Sequence, residues 1–399
     1  MDATRRSFAD VDYEEALRRA RAIVPLLQEE AAAGETATRV SDKAMAELHE
    51  SGLLRYHQPK RWGGMELDFR ALVDIPDILG QGDASASWTV VNLAGHHRLL
   101  SLYSAQAQEE IWGEDPAAGI ASGIAFVQGE ARRVDGGLLL SGKWGFSSGV
   151  DHSQWNMLAC VVKDEAKPVD WCMCLVPRRD YEIIDDWQTL GMRATGSRSV
   201  RCTEAFVPAH RAVSFHVARP GHQFPGWALN PNPMYRIPLS AFAGYGIGGT
   251  LIGNAQAAIA TCIDLVKARS TSYTAARMRD FQTVQWRIAE AAAKVDCART
   301  WLRQDCIEAE QWVASGCGFD TEMKLRYRRN GALAVRLVTQ AVDSLHEMAG
   351  ANGIYDSYPL QRIFRDAHAG AAHINFSVDV QYPGWGLVAL GGEFKSPTL

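Results

Sequence analysis

Apolar positions recur with a helical period at both ends of the chain and give way to strand-like runs in the middle. Leu17, Ala20, Val24 and Leu27 predict a first helix from Tyr13, which Pro25 should kink or interrupt. Ser41 is placed to open a second helix through Leu48, with Gly52 as its C-terminal cap. Pro59 and the Gly63-Gly64 pair mark a loop, and further helices are expected over about Phe69–Asp77 and Ser85–Leu102. The run Val134-Asp135-Gly136-Gly137-Leu138 carries the Asp-Gly signature of a tight hairpin turn. Strands are expected over Met157–Val162, Trp171–Val176 and Ser199–Val207, the last stopped by Pro208. Long helical stretches follow at Gly249–Arg269, Phe281–Ser315 and Lys324–Ala349, then a loop over Gly350–Pro359 and a last helix from Leu360.

This order predicts an α+β fold, mainly α. It comprises an N-terminal helical domain (1–120), a central β-barrel or sandwich domain (121–225) and a C-terminal helical bundle (226–399). There are no internal repeats and no low-complexity tracts.

Composition narrows the class. With 399 residues, 47% of them hydrophobic and 22% charged, the chain is globular and long enough for more than one packed region. A net charge of −5 offers no basic face for nucleic acid or an anionic membrane. The N-terminal stretch is charged and has no apolar core, so no secretory signal is expected, and no apolar run reaches bilayer-spanning length. The eight cysteines form no framework. Cys172 and Cys174 lie two apart in a strand-like run, so both face one side of a sheet, and no second Cys/His pair stands at zinc spacing. A core role is expected for the pair, no metal is implied, and the chain reads as a soluble protein of a reducing cytoplasm.

Gly244-Tyr245-Gly246-Ile247-Gly248-Gly249 resembles a dinucleotide fingerprint, but a proline-rich loop precedes it and a long helix follows, without alternating strands. These glycines are expected to let helices approach closely. The chain therefore has no evident nicotinamide site.

Four ordered segments resemble the acyl-CoA dehydrogenase superfamily and together cover most of the chain. They are Gly142–Gly149, Leu190–Ser197 with Ala205-Phe206-Val207-Pro208, Phe281–Gln285 with Ile288-Ala289-Glu290, and Met348–Gly353 with Tyr358–Ala367. The dehydrogenases need a carboxylate base to remove an α-proton. In many of them it follows the Arg-Asp-Ala run, where this chain has His373-Ile374-Asn375-Phe376. Ile374 cannot accept a proton, although some dehydrogenases carry the base on another helix. Asp366-Ala367-His368-Ala369-Gly370 with His373, Trp112–Pro116 and Ser147–His152 resemble instead the two-component (group D) reduced-flavin-dependent monooxygenases on the same scaffold. Members of that family act on hydroxyphenylacetate and on the phenolic A ring of steroids.

The resemblance implies an oxygenase component that hydroxylates a phenolic or other electron-rich aromatic substrate with O2, through a C4a-hydroperoxyflavin. Reduced FMN (or FAD) would come from a separate NAD(P)H:flavin reductase by diffusion. The arginine and Phe-Gly pair that grip the adenine half of FAD are missing after Arg269, which fits FMN or a looser FAD site. An acyl-CoA dehydrogenase, an N- or S-oxygenase and a non-catalytic flavin-fold protein remain as alternatives. By the same resemblance Ser147 is the hydroxyl beside flavin N5, and His373 the imidazole near the peroxide, with His368 ranked second. His96 and Ser122 hold the phenol oxygen. Trp88, Phe146, Ser148, Thr195, Gly196, Ser197, Arg236 and Arg269 are candidate flavin contacts. A homotetramer built on the C-terminal helices is implied as well. Pro225-Gly226-Trp227, the Asn230–Pro238 stretch and the tail from Tyr382 to Phe394 are expected to shape the substrate pocket.

Overall fold

The computed structural model describes residues 6–270 and 275–399, so the very start of the charged N-terminal stretch lies outside it. Helices α1 (Tyr13–Ala37), α2 (Asp42–Ser51), α3 (Ala71–Gly80), α4 (Ala84–Leu100) and the short α5 (Ala105–Gln108) come first. α1 runs unbroken past Pro25, against the expected interruption. Its buried stripe of Ala20, Ile23, Leu27 and Ala31 continues across the proline, and that packing outweighs the one backbone hydrogen bond proline removes. Ser41 caps α2 by accepting from the Ala44 N–H, and Gly52 ends it at φ 77°, both as expected.

Strands β1 (Ile120–Gly123), β2 (Gly129–Val134), β3 (Gly137–Trp144), β4 (Trp155–Asp164), β5 (Lys167–Pro177), β6 (Glu182–Ile184), β7 (Ser199–Pro208) and β8 (Ala212–Ser214) form one sheet. Its order is β6-β7-β3-β2-β4-β5-β8, with β1 lying parallel to the start of β4. The Asp135-Gly136 turn joins β2 to β3, with Gly136 at φ 76°. One face closes on its own core of Leu140, Trp144, Leu158, Cys160, Cys174 and Val200. The cysteines thus sit in the interior, with 3.8 Å between the sulfurs of Cys160 and Cys174. The opposite face of β4 and β5, carrying Met157, Ala159, Met173 and Leu175, packs on Leu99 and Leu100 at the end of α4.

Helices α6 (Leu239–Phe242), α7 (Tyr245–Ala268), α8 (Gln282–Ala314), α9 (Thr321–Glu347), α10 (Pro359–Ala371) and α11 (Val378–Ala389) complete the chain. The glycine-rich start of α7 is a helix seam. A methyl group on Gly249 would lie 2.6 Å from Val73 O, and one on Gly253 2.1 Å from Asp77 O, so α3 and α7 touch backbone to backbone. Residues 239–268 are long and apolar enough by composition to cross a bilayer, contrary to the reading of the sequence. Ile247, Leu251, Ile252 and Ala255 of this segment are buried in the bundle core. α11 was not foreseen, because Pro383, Gly384 and Gly386 lower its helical propensity. It is pinned by Gln381, which accepts from Arg328 Nε at 2.7 Å and donates to Ile374 O at 2.8 Å.

Candidate active site

Trp88, Asn92, Gly95, His96 and Leu99 recur at i, i+4, i+7, i+8 and i+11, and so share one face of α4. About 16 Å of helix separates the two ends of this stripe. At the Trp88 end a chain of hydroxyls is already assembled. Trp88 Nε1 donates to Ser148 Oγ at 3.2 Å, Ser148 Oγ lies 2.7 Å from Ser197 Oγ, and Ser197 Oγ lies 2.6 Å from Thr195 Oγ1. Thr195 Oγ1 then donates to Met192 O at 2.8 Å. The ring of His373, just past α10, meets Trp88 edge-on at 5.9 Å.

Two turns hold this chain. Phe146 takes a left-handed φ of 62°, a conformation a bulky side chain rarely adopts, and the residue is 75% exposed. The reversal sends Ser148 toward α4 and Ser147 into the sheet core, where Ser147 Oγ accepts from Asn156 Nδ2 at 2.9 Å. Met192 and Gly196 are left-handed in the second turn, and the Met192 N–H donates to Asp366 Oδ1 at 2.6 Å. Burial pushes the Asp366 carboxyl up to about 7. Backbone bonds Gly149 N to Thr195 O (3.0 Å) and Ser147 N to Arg198 O (3.1 Å) join the turns.

The two candidate histidines are fixed as opposite tautomers. His96 Nδ1 lies 2.5 Å from Ile120 O, and a carbonyl only accepts, so Nδ1 carries the proton and Nε2 keeps its lone pair. His373 Nδ1 accepts from the Asn375 N–H at 3.2 Å, so its proton sits on Nε2. Neither Nε2 has a partner among the described residues, and neither is sealed from open space. Burial lowers both imidazoles to about 4, so both are neutral near pH 7. Ser122 alternates onto the Ile120 side of β1, facing α4, and its hydroxyl is likewise unpartnered. His97, adjacent in sequence, is a core residue: its ring stacks on Trp112 and its Nδ1 accepts from Trp112 Nε1 at 2.9 Å.

The structure thus brings together Trp88, Ser148, Thr195, Ser197 and His373 at one end of the stripe, with Gly196 and the exposed Phe146 in the supporting turns. His96 and Ser122 stand further along. Ser147 is fully buried, with its hydroxyl held by Asn156. Arg236 donates to Pro231 O and Trp227 O, away from the hydroxyl chain. Arg269 caps α7 about 27 Å along the helix from Leu251, and Leu251 lies level with Trp88 because both flank Gly370. His368 pairs with Asp343 at 2.7 Å on another face. Asn156 and Asp366 were missed as site residues. An asparagine inside the apolar β4 run was the available signal for the first.

A cavity of about 590 Å³ begins at the Leu99 end of the stripe. Leu102, Phe215, Phe224, Trp227, Leu239 and Phe319 supply much of its apolar wall. Trp227 and most of the 231–238 stretch line it, whereas no residue of 382–394 does; from the tail comes Thr398.

The Trp88 end suits a planar, hydrogen-bonding heteroaromatic such as a flavin ring: an indole, an exposed phenyl ring held by a strained turn, and neutral hydroxyls without a competing charge. Residues 245–378 match the acyl-CoA dehydrogenase C-terminal domain. The chain is 33% identical to a flavin-dependent monooxygenase oxygenase subunit, HsaA, of Rhodococcus jostii (strain RHA1), over 96% of this chain and 98% of that one. It is also 33% identical to the oxygenase component of an FADH(2)-dependent resorcinol hydroxylase of Rhizobium sp., over 94% and 93% respectively. The crystal structure of the HsaA monooxygenase from M. tuberculosis superposes with a TM-score of 0.91 at 31% identity, over 97% of this chain and all of that one.

Proposed function

Because the chain belongs to the two-component flavin-dependent monooxygenases, as an oxygenase component, we propose that it hydroxylates a phenol along the open face of α4, with His96 and His373 handling the protons. The observation that carries this reading is the pair of fixed, opposite tautomers: a bare nitrogen at His96 and an N–H at His373.

Reduced flavin, FMN or FAD, delivered by a separate NAD(P)H:flavin reductase, supplies dioxygen activation and the transfer of one oxygen atom. Trp88, Phe146, Ser148, Thr195, Gly196 and Ser197 would hold it. Ser147 reaches that side only if its hydroxyl turns away from Asn156; as placed, it braces the Phe146 turn.

The phenol oxygen would lie between Ser122 Oγ and His96 Nε2. With the imidazole at about 4 and a phenol near 10, removing the proton outright is uphill by about 8 kcal/mol. His96 therefore accepts a hydrogen bond in the resting complex. It takes the proton only as the ring gives up electron density and the phenol becomes more acidic. His373 presents a donor beside Trp88, suited to holding a partly negative oxygen in a site from which apolar neighbours exclude water.

Exposed Trp286 and Trp301 on α8, with Val380 and Leu387 on α11, support association into a homotetramer. The unpaired cysteines fit work in the cytoplasm. The test supplies reduced FMN from an NADH-driven reductase together with simple phenols, and measures hydroxylated product against released hydrogen peroxide. His96→Ala should turn oxygen use from product to peroxide; an unchanged ratio removes His96 from the mechanism.

A further inference from the structure

The cavity at the Leu99 end has a charge pattern that phenol hydroxylation alone does not explain. Arg98, Arg236, Lys324 and His222 all line it, and no aspartate or glutamate does. None of the three cationic side chains forms an ion pair among the described residues, although Asp320 lies close enough to favour the charge on Lys324. Arg98 is 7% exposed, and its Nη2 donates to Ile237 O at 2.5 Å and Met234 O at 3.3 Å. Its Nη1 has no partner and still reaches open space, while Nε is buried without one. Burial lowers Arg98 to about 10 and also lowers Lys324, so both side chains are held where charge is disfavoured. His222 Nε2 is likewise buried without a partner. Buried charges in proteins are normally paired, and a cluster of one sign marks a place where the pairing group arrives from outside.

Size and position complete the case. A cavity of about 150 Å³ holds one benzene ring, whereas this one measures about 590 Å³ and has several aromatic walls. Leu99 at its mouth lies one helical turn beyond His96, on the same face of α4. A methyl group on Gly95 would meet no atom within 4 Å, so the stripe beside His96 is open.

We propose that the substrate is an anionic aromatic larger than a single ring. Its phenol end lies at His96 and Ser122, its apolar body fills the cavity, and a carboxylate (or similar anion) reaches Arg98, Arg236 and Lys324. This rests on the hydroxylation proposed above and names the class of substrate for it. The three cations line the cavity wall, where neither His96 nor Ser122 stands, so they fix orientation and take no part in proton transfer.

The test uses 4′-hydroxybiphenyl-4-carboxylate and its methyl ester, titrated calorimetrically into the flavin-free protein near pH 7.5. The acid should bind roughly ten- to a hundredfold more tightly than the ester, the contribution of a charge-assisted hydrogen bond away from bulk water. That preference should shrink to within about threefold in Lys324→Gln or in Arg236→Gln. Both positions are less buried than Arg98, and Lys324→Gln is the cleaner variant, because Arg98 and Arg236 each donate to two backbone carbonyls whereas the Lys324 side chain makes no hydrogen bond among the described residues. Equal binding of acid and ester, or a preference that survives in both variants, overturns the inference. Hydroxylation of the two compounds is followed in parallel. If the ester is hydroxylated and the acid is not preferred, the anion site falls and the hydroxylase reading stands. If the acid is preferred through Lys324 but neither compound is hydroxylated, the anion site stands and the hydroxylase reading falls.

Discussion

Gly253 in α7 and Gly95 in α4 stand at the two kinds of interface this molecule builds. At Gly253 an added methyl group would lie 2.1 Å from a backbone oxygen of α3, and the flanking Asp77 is paired with Arg299 at 2.8 Å. At Gly95 the same methyl group meets nothing, and the side chains around it keep unpartnered nitrogens and hydroxyls: His96 Nε2, Ser122 Oγ, Arg98 Nη1. One interface is closed and holds an ion pair; the other is open and holds none among the described residues. Glycine serves both, which is why its presence in a helix does not by itself tell contact from cleft. Closed interfaces set stability, and open ones with unmet hydrogen-bonding groups set chemistry.

The sharpest break in that contrast comes from the cleft. His96→Ala should lower the ratio of hydroxylated product to hydrogen peroxide by about 10²- to 10⁴-fold, the range typical of a positioned acid–base group. Oxygen consumption should continue, as read with an oxygen electrode and a peroxide assay. Next in size, Gly253→Ala should cost about 2–3 kcal/mol in urea unfolding, because backbone cannot yield to a new methyl group. Gly95→Ala should cost nothing and can add about 0.5–1 kcal/mol through helix propensity. Equal losses at the two positions would erase the distinction. Gly95→Leu, which fills the groove beside His96, should keep that stability while weakening phenol binding by roughly tenfold, about the 1.4 kcal/mol of one blocked contact.

The smallest effect concerns pH. Folding lowers both imidazoles from about 6.5 to about 4, so between these values the unfolded chain holds protons that the native chain does not. The stability they confer is complete above about 6.5 and is lost as pH falls through that window. Asp77 and Asp366, raised to about 7, act in the opposite sense over the same range, so only a difference between variants isolates the histidines. Relative to the parent chain, His373→Asn should gain urea stability as pH falls from 6.5 to 4. The product-to-peroxide ratio of the parent should stay flat from pH 8 to 6, with no titration at the free imidazole value.

Much of the fold was legible because its signals are local. The Asp135-Gly136 turn, the Ser41 and Gly52 caps and the long apolar periods each depend on neighbours in sequence. Pro25 and the α11 prolines and glycines misled, because tertiary packing overrides propensity there. The grouping of Trp88, Ser148, Thr195, Ser197 and His373 was legible where a resemblance carried each of them. The inward turn of Ser147 was not, since it follows from the left-handed Phe146 and the distant Asn156. Nor were Arg98, Arg236 and Lys324 as a group: they come from separate segments, and only the folded chain brings them to one cavity whose lining has no aspartate or glutamate.

The central claim is that two neutral imidazoles present opposite faces to the cleft. Selective ¹⁵N labelling of histidine, with ring nitrogens assigned by comparison with His96→Ala and His373→Ala, tests it at pH 7. The account predicts a protonated Nδ1 with a bare Nε2 at His96, and a bare Nδ1 with a protonated Nε2 at His373. The same tautomer at both, or a doubly protonated ring at either, would contradict it.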